Sequence, residues 1–420
     1  MSDKHNQKFL EEQTQETKKK RTKKTIINVI GCCYDDNSIS DMFQLNELSN
    51  QIEFAKTPPW ESSDTKKYQN VVDEDLIDFK VYLARNFKGF EPPVSLIMEG
   101  VVHMAKKKAY HPVKQYLNSL TWDKKPRLDH WLTHAAGVTE NVYTKAVARK
   151  VLVAAVARVM TPGVKFDHMM ILEGGQGIGK STLVRILGGD WFDNISLMPI
   201  DKDTIDAMQG KWILEVDELV GFNRHDLEKM KGFISRPIDR ARLAYQRTTK
   251  PFPRQSIFIG TTNPLGDNTY FRDETGNRRY WPITCGTINQ TWLRENRDQL
   301  FAEALVVFKN GEKLFLDDEE AINIAKTAQD KRLAGDPWVP YIVKYIADKK
   351  GLFVREMTVA DIAKDCLEIP TARLTKSEQT RIGIILSRMG ILSVRREENG
   401  QKITVYKLNP DDVEDDNQTT

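Results

Sequence analysis

From Asp73 to Arg158 apolar residues recur at intervals of three and four, as in "DEDLIDFKVYLARNF" and "AVARKVLVAAVARVM". That spacing predicts a helical N-terminal domain over residues 65–160. At Phe166 the pattern changes to short continuous apolar runs: "FDHMMILE" (Phe166–Glu173), "KWILEVDEL" (Lys211–Leu219), "QSIFIGTTNP" (Gln255–Pro264) and "RRYWPI" (Arg278–Ile283). Runs of this length, parted by helical stretches, predict buried strands of a mainly parallel sheet covered by helices. The α/β core spans residues 161–334, with "LRENRDQLFAEALVVFK" and "DDEEAINIAKTAQDKRLAG" as its helical extension. Residues 335–408 read as three helices, "DPWVPYIVKYIADK", "TVADIAKDC" and "TKSEQTRIGIILSRMG", followed by two strands joined at Asn399-Gly400. Helices followed by a hairpin of that kind suggest a winged helix-turn-helix. Its last helix would turn Ile382, Ile384, Ile385 and Leu386 to the core. At the other end, "TIINVIGCCY" (Thr25–Tyr34) reads as a short strand and the polar, turn-rich sequence to Asp64 as irregular. Residues 1–64 are therefore expected to be a basic, largely disordered segment, and residues 409–420 an acidic tail.

Composition narrows the class. A chain of 420 residues, 40% hydrophobic and 29% charged, suits a soluble protein of two or three domains. No run approaches the ~18 apolar residues of a membrane span, and the polar N-terminus lacks the apolar stretch of a signal peptide. The four cysteines, Cys32, Cys33, Cys285 and Cys366, form no CxxC pair, and the seven histidines are scattered. Both features suit a reducing cytoplasm without a zinc site. The net charge of +3 hides a basic run, "KKKRTKK" (Lys18–Lys24), and an acidic "DDVEDD" near the C-terminus. Such blocks read as solvated tails, with non-specific phosphate contact as the alternative for the basic one.

The candidate chemistry begins at "LEGGQGIGKSTL". Between a strand and a helix, the loop of Gly174, Gly175, Gln176, Gly177, Ile178 and Gly179 can aim backbone N–H groups at a polyphosphate. Lys180 can then reach the β- and γ-phosphates of ATP, and Ser181 can place its hydroxyl on Mg2+. Asp167 and Glu173 flank the strand as structural residues. A hydrolase also needs carboxylates on a neighbouring strand. "WILEVDEL" supplies Glu215, Asp217 and Glu218. Glu215 and Asp217 share a strand face, and the strand should end near Val216. Glu218 is the first candidate for activating water, Glu215 the alternative carboxylate on the magnesium side, and Ser181, Glu215 and Asp217 the candidate metal ligands. Asn263, at the end of "IFIGTTNP", can orient water against the γ-phosphate. Arg278 and Arg279 of "GNRRYWPI" can stabilise charge on the transferring group, in cis or from a neighbouring subunit.

Two basic segments point to DNA. "SRPIDRARLAYQRTTKPFPRQ" carries Arg236, Arg240, Arg242, Arg247, Lys250 and Arg254, with Tyr245 and Phe252 interleaved. Such mixing suits a single-strand track, with an exposed hairpin of ordinary salt bridges as the alternative. The predicted last helix holds Lys376, Arg381 and Arg388, and the wing Arg395, Arg396 and Lys402, which suits duplex contact or, alternatively, protein docking. "HPVKQYLNSLTWDKKPRLDHWL" reads as an amphipathic helix and turn.

Taken together, these residues resemble the virulence-associated E family of phages and phage-related islands, which is similar to superfamily-three replicative helicases of the AAA+ class. The resemblance runs from about Tyr110 to Trp338 and rests on "HPVKQYLNSLTWDKKPRLDHWL", "LEGGQGIGKSTL", "GKWILEVDEL", "FPRQSIFIGTTNP" and "GNRRYWPI", in the family's order and spacing. It implies a P-loop AAA+ core and an ATP-driven, hexameric homo-oligomer working on DNA, alongside host or phage replication proteins. It puts Gly179, Lys180, Ser181 and Thr182 on the nucleotide, Glu215 or Glu218 in the acidic motif, and Asn263 as polar sensor. It makes Arg278 or Arg279 the arginine finger and turns the basic hairpin to the ring's channel. Many relatives carry a primase domain in front. Only about a hundred residues precede the matched region here, without an acidic cluster suited to primer synthesis, so no primase activity is expected. The rival expectations are a remodelling or loading factor that does not unwind, and a nucleotide-gated origin-binding or interference protein.

Overall fold

A computed structural model of the chain describes residues 23–61, 69–196, 200–217, 224–241, 249–263, 271, 277–333, 336–351, 356–398 and 401–408. The chain divides into two compact units between Arg332 and Leu333.

The first unit opens with a helix where a strand was expected. Helix α1 (Ile26–Asp35) starts at Thr25, whose hydroxyl accepts from the Asn28 N–H, and it buries Val29, Cys32 and Cys33. Spacing of i, i+3, i+4 selects a helical face over strand alternation. The segment expected to be irregular holds a hairpin, β1 (Phe43–Asn46) with β2 (Gln51–Phe54), paired antiparallel with Phe43 opposite Phe54. These strands are short and polar because they bury a hydrogen-bonded cluster: Asn46 donates to Glu53 at 2.7 Å, and the Tyr110 hydroxyl donates to the same carboxylate at 2.5 Å. Helices α2 (Asp73–Asn86) and α3 (Val94–Lys107) complete this module, and β3 (Ala109–Tyr110) pairs parallel with β1. Gly100 on α3 lets α1 approach, since a Cβ there would stand 2.7 Å from Val29 Cγ1. Val29, Phe43, Phe54, Phe79 and Ile97 lie in one apolar cluster.

Helices α4 (Pro112–Ser119), α5 (Trp131–Ala136) and α6 (Val142–Met160) belong to the second core. From Val151 to Val159 every residue of α6 is buried, and all but Ala157 and Arg158 lie in the same apolar cluster as Met170 and Leu172 of the sheet. A helix apolar all round is an interior helix, and each fully buried Val or Leu contributes roughly 1.5–3 kcal/mol. The 111–132 segment packs as an ordinary helix and turn: Tyr116 meets Trp191, Trp212 and Phe301.

The sheet follows as β4 (Met169–Glu173), α7 (Lys180–Gly188), β5 (Phe192–Asn194), α8 (Lys202–Ala207), β6 (Ile213–Val216) and α9 (Arg224–Ile234). The ribbon β7 (Ile238–Ala241) with β8 (Lys250–Pro253) precedes β9 (Ile257–Thr262) and β10 (Tyr280–Thr284). Five strands form one sheet in the order β10–β4–β9–β6–β5, and all neighbours are parallel. The fold class is thus mixed α/β with a parallel five-stranded sheet. Helices α10 (Gln290–Lys309) and α11 (Glu319–Asp330) pack beside α6 and α7.

One basic candidate turns out to be structural. Arg254 is buried, donates to both oxygens of buried Asp239 at 2.9 and 2.6 Å and to the Phe233 carbonyl at 2.7 Å, and lies over the Phe233 ring. It is unavailable to DNA because its charge is spent in the interior. Arg254→Ala should strand a buried carboxylate, costing roughly 3–5 kcal/mol, so differential scanning calorimetry should show a midpoint lower by several degrees.

The second unit holds α12 (Val339–Gly351), β11 (Glu356–Thr358), α13 (Val359–Asp365), α14 (Lys376–Arg388), β12 (Leu392–Glu398) and β13 (Gln401–Lys407). Its antiparallel sheet runs β11–β13–β12, and Glu398 faces Gln401 across the final pair. The Asn399-Gly400 turn lies outside the described residues. Thr375 and Glu378 form a capping box that starts α14. Ile382, Ile385 and Leu386 are buried as expected, but Ile384 is not: it falls off the i, i+3, i+4 stripe and stands 37% exposed.

Candidate active site

The C-terminal ends of β4, β9 and β6 bring the predicted residues together. The glycine loop leaves β4 after Glu173 and enters α7 at Lys180. Gly179 caps that helix at φ +100°, a left-handed conformation that favours glycine. A Cβ on Gly174 would lie 2.6 Å from Ile178 Cδ1 and 3.3 Å from the Cys285 carbonyl oxygen, so a side chain there would force Ile178 to move. The backbone of Gly175, Gln176 and Gly177 is exposed above the helix N-terminus, where backbone donors and the helix dipole favour an anion.

Lys180 is buried with its ammonium donating to the Gly174 carbonyl at 2.7 Å, the Gly175 carbonyl at 2.8 Å and Asn263 Oδ1 at 2.7 Å. Three acceptors match its three N–H donors. The same bond brings exposed Asn263, at the end of β9, to the loop. Burial lowers the Lys180 pKa below the ordinary lysine value, opposed by the nearby charge of Glu215.

β6 ends at Val216, as expected, so Asp217 follows the strand, and both Glu215 and Asp217 turn to Thr261. Thr261 lies within hydrogen-bond distance of Glu215 Oε1 at 2.8 Å and of Asp217 Oδ1 at 3.0 Å. One hydroxyl proton serves only one of them at a time. Ser181, the first residue after Lys180, lies near enough to Glu215 to favour its charged form, and Asn194 reaches Asp217. Burial raises the Glu215 pKa above the usual carboxylate range, Ser181 and Thr261 oppose the rise, and Asp217 adds to it. Two carboxylates this close require a shared proton or a cation. The donor set, two carboxylates and a hydroxyl, is all oxygen. It fits Mg2+, which keeps water and phosphate in most of its coordination positions. Among the described residues no group of three or more His, Cys, Asp or Glu side chains comes together. Thr261 escaped the sequence reading, although it stands two residues before Asn263 and so on the same strand face. Glu218 lies outside the described residues.

Glu215→Gln should separate stability from chemistry. Removing one of two crowded carboxylates should raise the melting midpoint of the nucleotide-free protein. Losing a metal-side charge should lower Mg2+-dependent turnover by about 10²-fold. Thermal melts and phosphate release, measured on one preparation, check both.

Arg278 and Arg279 sit elsewhere. They form the 3-10 turn Asn277–Arg279 that leads into β10. Tyr280 is opposite Met169 at the start of β4, whereas the glycine loop follows the other end, opposite Thr284. Four residues of strand separate the two ends by about 13 Å, beyond the reach of an arginine to its own chain's loop. Arg278 is exposed, Arg279 donates to Ser235 Oγ at 2.8 Å, and both line a crevice of about 460 Å³ with His168 and Phe315. His168 stacks on Trp281 at 4.3 Å, and burial drives its pKa down to about 4.

Of the DNA candidates, Arg240 and Lys250 stand exposed on the β7–β8 ribbon, and Arg242, Tyr245 and Arg247 lie outside the described residues. In the second unit Lys376, Arg395 and Lys402 are exposed. Arg381 is not a free cation: it clasps Asp336 at 2.6 and 2.7 Å and stacks 3.8 Å over Trp338. Arg396 pairs with Glu356 at 2.5 Å. No described helix is long and apolar enough to cross a membrane.

The family model of the virulence-associated protein E-like domain matches residues 117–333, just over half of the chain. No curated protein matches. Among solved structures, the A form of the apo NrS-1 C-terminal region aligns at 12% identity and a TM-score of 0.46, covering 87% of this chain and 95% of that one. The apo NrS-1 C-terminal region 305–718 aligns at 14% identity with the same TM-score and coverage. Both scores fall below the level from which a shared fold follows.

Proposed function

The chain belongs to the virulence-associated protein E-like family, and from that premise we propose that it is an ATP- and Mg2+-dependent DNA helicase or translocase. In this reading the first unit carries a P-loop core of the superfamily-three-like AAA+ class, working as a homo-hexamer in replication of a phage or mobile genetic island. The observation that carries the proposal is the convergence of Lys180, Asn263, Ser181, Glu215 and Asp217 at one end of a parallel sheet.

Each group has a task there. The loop N–H groups and Lys180 hold the phosphates, and the ammonium exchanges its loop carbonyls for phosphate oxygens. Asn263 orients water against the terminal phosphate. Ser181, Glu215 and Asp217 would hold Mg2+, which would neutralise charge on the phosphates. Glu218 takes the proton of the attacking water. Arg278 or Arg279 acts on the nucleotide of a neighbouring subunit.

The β7–β8 ribbon is the proposed single-strand contact. The second unit, whose described residues include three α-helices and an antiparallel sheet, is proposed as a winged helix whose duplex contacts are Lys376, Arg395 and Lys402, because Arg381 and Arg396 are engaged in ion pairs. Changing Arg240 and Lys250 to Ala should weaken single-strand binding. If each contacts one phosphate, it should also flatten the plot of log K against log salt by roughly 1.4. An unchanged slope in fluorescence anisotropy titrations would remove the ribbon from the DNA path.

The test of the activity is phosphate release with Mg2+, with and without single-stranded DNA. Turnover stimulated by DNA is the expected result. Tight ATP binding without turnover would instead favour a nucleotide-gated origin-binding or interference protein.

A further inference from the structure

The nucleotide reading leaves open what meets the base, and the geometry of the glycine loop constrains it. Lys180 and Asn263 meet on the β9 side of β4, and the carboxylates lie one strand further, on β6. They fix the terminal phosphate to that side. A phosphate chain held there would run across the N-terminus of α7 and bring the nucleoside out on the opposite side, toward β10. The segment that follows β10 is Cys285–Gln290.

This segment is held rigidly. The Cys285 N–H donates to the Glu173 carbonyl at 2.7 Å, the Gly286 N–H to Ala136 at 2.9 Å and the Asn289 N–H to Ala135 at 2.8 Å. Gly137 and Gly286 let the two backbones cross, since a Cβ on Gly137 would stand 2.9 Å from the Thr287 nitrogen. Asn289 caps α10 by accepting from the Trp292 N–H at 3.0 Å, which makes Gln290 the first residue of that helix. The Gln290 amide nitrogen lies 3.0 Å, and Ile288 Cβ and Cγ2 lie 3.8 Å, from the point a Cβ on Gly179 would occupy. A carboxamide and an aliphatic face therefore stand beside the loop, on a frame that does not need to order on binding.

We propose that Gln290 selects the base, pairing its carboxamide with the edge of adenine while Ile288 covers the ring. The proposal rests on the nucleotide reading of the glycine loop. Adenine presents an amino donor beside a ring-nitrogen acceptor, which complements the acceptor and donor of one carboxamide. On the N7 edge, where adenine offers its 6-amino donor beside N7, guanine presents two acceptors, O6 and N7, so a carboxamide set against that edge would have its oxygen face an acceptor and lose its partner. A site built around such a group rejects the mismatched base because a polar atom is left unpaired.

The test is isothermal titration calorimetry of the full chain with AMP-PNP, GMP-PNP and inorganic tripolyphosphate, in wild type, Gln290→Ala and Gln290→Arg. Wild type should prefer AMP-PNP by on the order of tenfold or more. Gln290→Ala should bring the two nucleotides close to parity and keep tripolyphosphate affinity within about twofold, because only the base contact is lost. Gln290→Arg should turn the preference toward GMP-PNP, since a guanidinium donates to both guanine acceptors. A Gln290→Ala protein that keeps the wild-type preference overturns the proposal. So does a parallel loss of AMP-PNP and tripolyphosphate, which would move Gln290 to the phosphates. Wild type that binds tripolyphosphate but does not discriminate the bases overturns the base assignment and leaves the phosphate site standing. Failure to bind any of the three removes both.

Discussion

Lys180→Ala should lower affinity for ATP by about 10²–10⁴-fold and abolish turnover within detection. The lysine is the one cation described inside the loop, and its ammonium already bonds to two loop carbonyls and Asn263. On nucleotide binding at least two of those bonds become charge-assisted contacts to phosphate, each worth roughly 1.5–3 kcal/mol. The variant should still fold, because two of the three acceptors it abandons, at Gly175 and Asn263, belong to exposed residues that water can reach. Equilibrium binding of a fluorescent ATP analogue and a phosphate-release assay measure the two effects. Wild-type affinity in the variant would mean that the glycine loop does not cradle phosphates.

Arg278→Ala or Arg279→Ala should cost about 10³-fold or more in turnover, in the range of an arginine finger, with little loss of nucleotide binding. The strand register sets these arginines at the end of β10 away from their own glycine loop. A contribution to hydrolysis must then come from one subunit to the next. Mixing Arg279→Ala with Lys180→Ala subunits should restore part of the activity, since some interfaces pair an intact loop with an intact arginine. The same mixture with Arg278→Ala decides between the two residues. No recovery at any ratio, with mixed assemblies verified by native mass spectrometry, would count against a shared site.

The sheet was legible because its strands are buried on both faces and read as continuous apolar runs. β5, three residues long and only partly buried, carries no such run. The hairpin β1–β2 escaped for a different reason: only one face, with Phe43 and Phe54, is apolar, while the other buries Glu53 bonded to Asn46 and Tyr110, and strands of four residues carry too short an alternation to stand out. Within the site, the loop, Glu215, Asp217 and Asn263 were readable because chemistry fixes their residue types and spacing. Partners distant in sequence were not. That Arg254 belongs to Asp239, and Arg381 to Asp336 and Trp338, follows from packing and not from the charge of the segment. A basic run states how many cations there are and nothing of how many are already paired. Thr261 lay between the two cases, marked only by strand alternation from Asn263.

The proposed activity stands or falls most directly on displacement of a labelled strand from forked DNA by the full chain. With ATP and Mg2+ the fork should be unwound. Unwinding should fail with AMP-PNP, with Lys180→Ala and with Arg240 and Lys250 both changed to Ala. ATP hydrolysis that is stimulated by the fork but releases no strand under any condition would contradict a helicase and leave a remodelling or loading ATPase in its place.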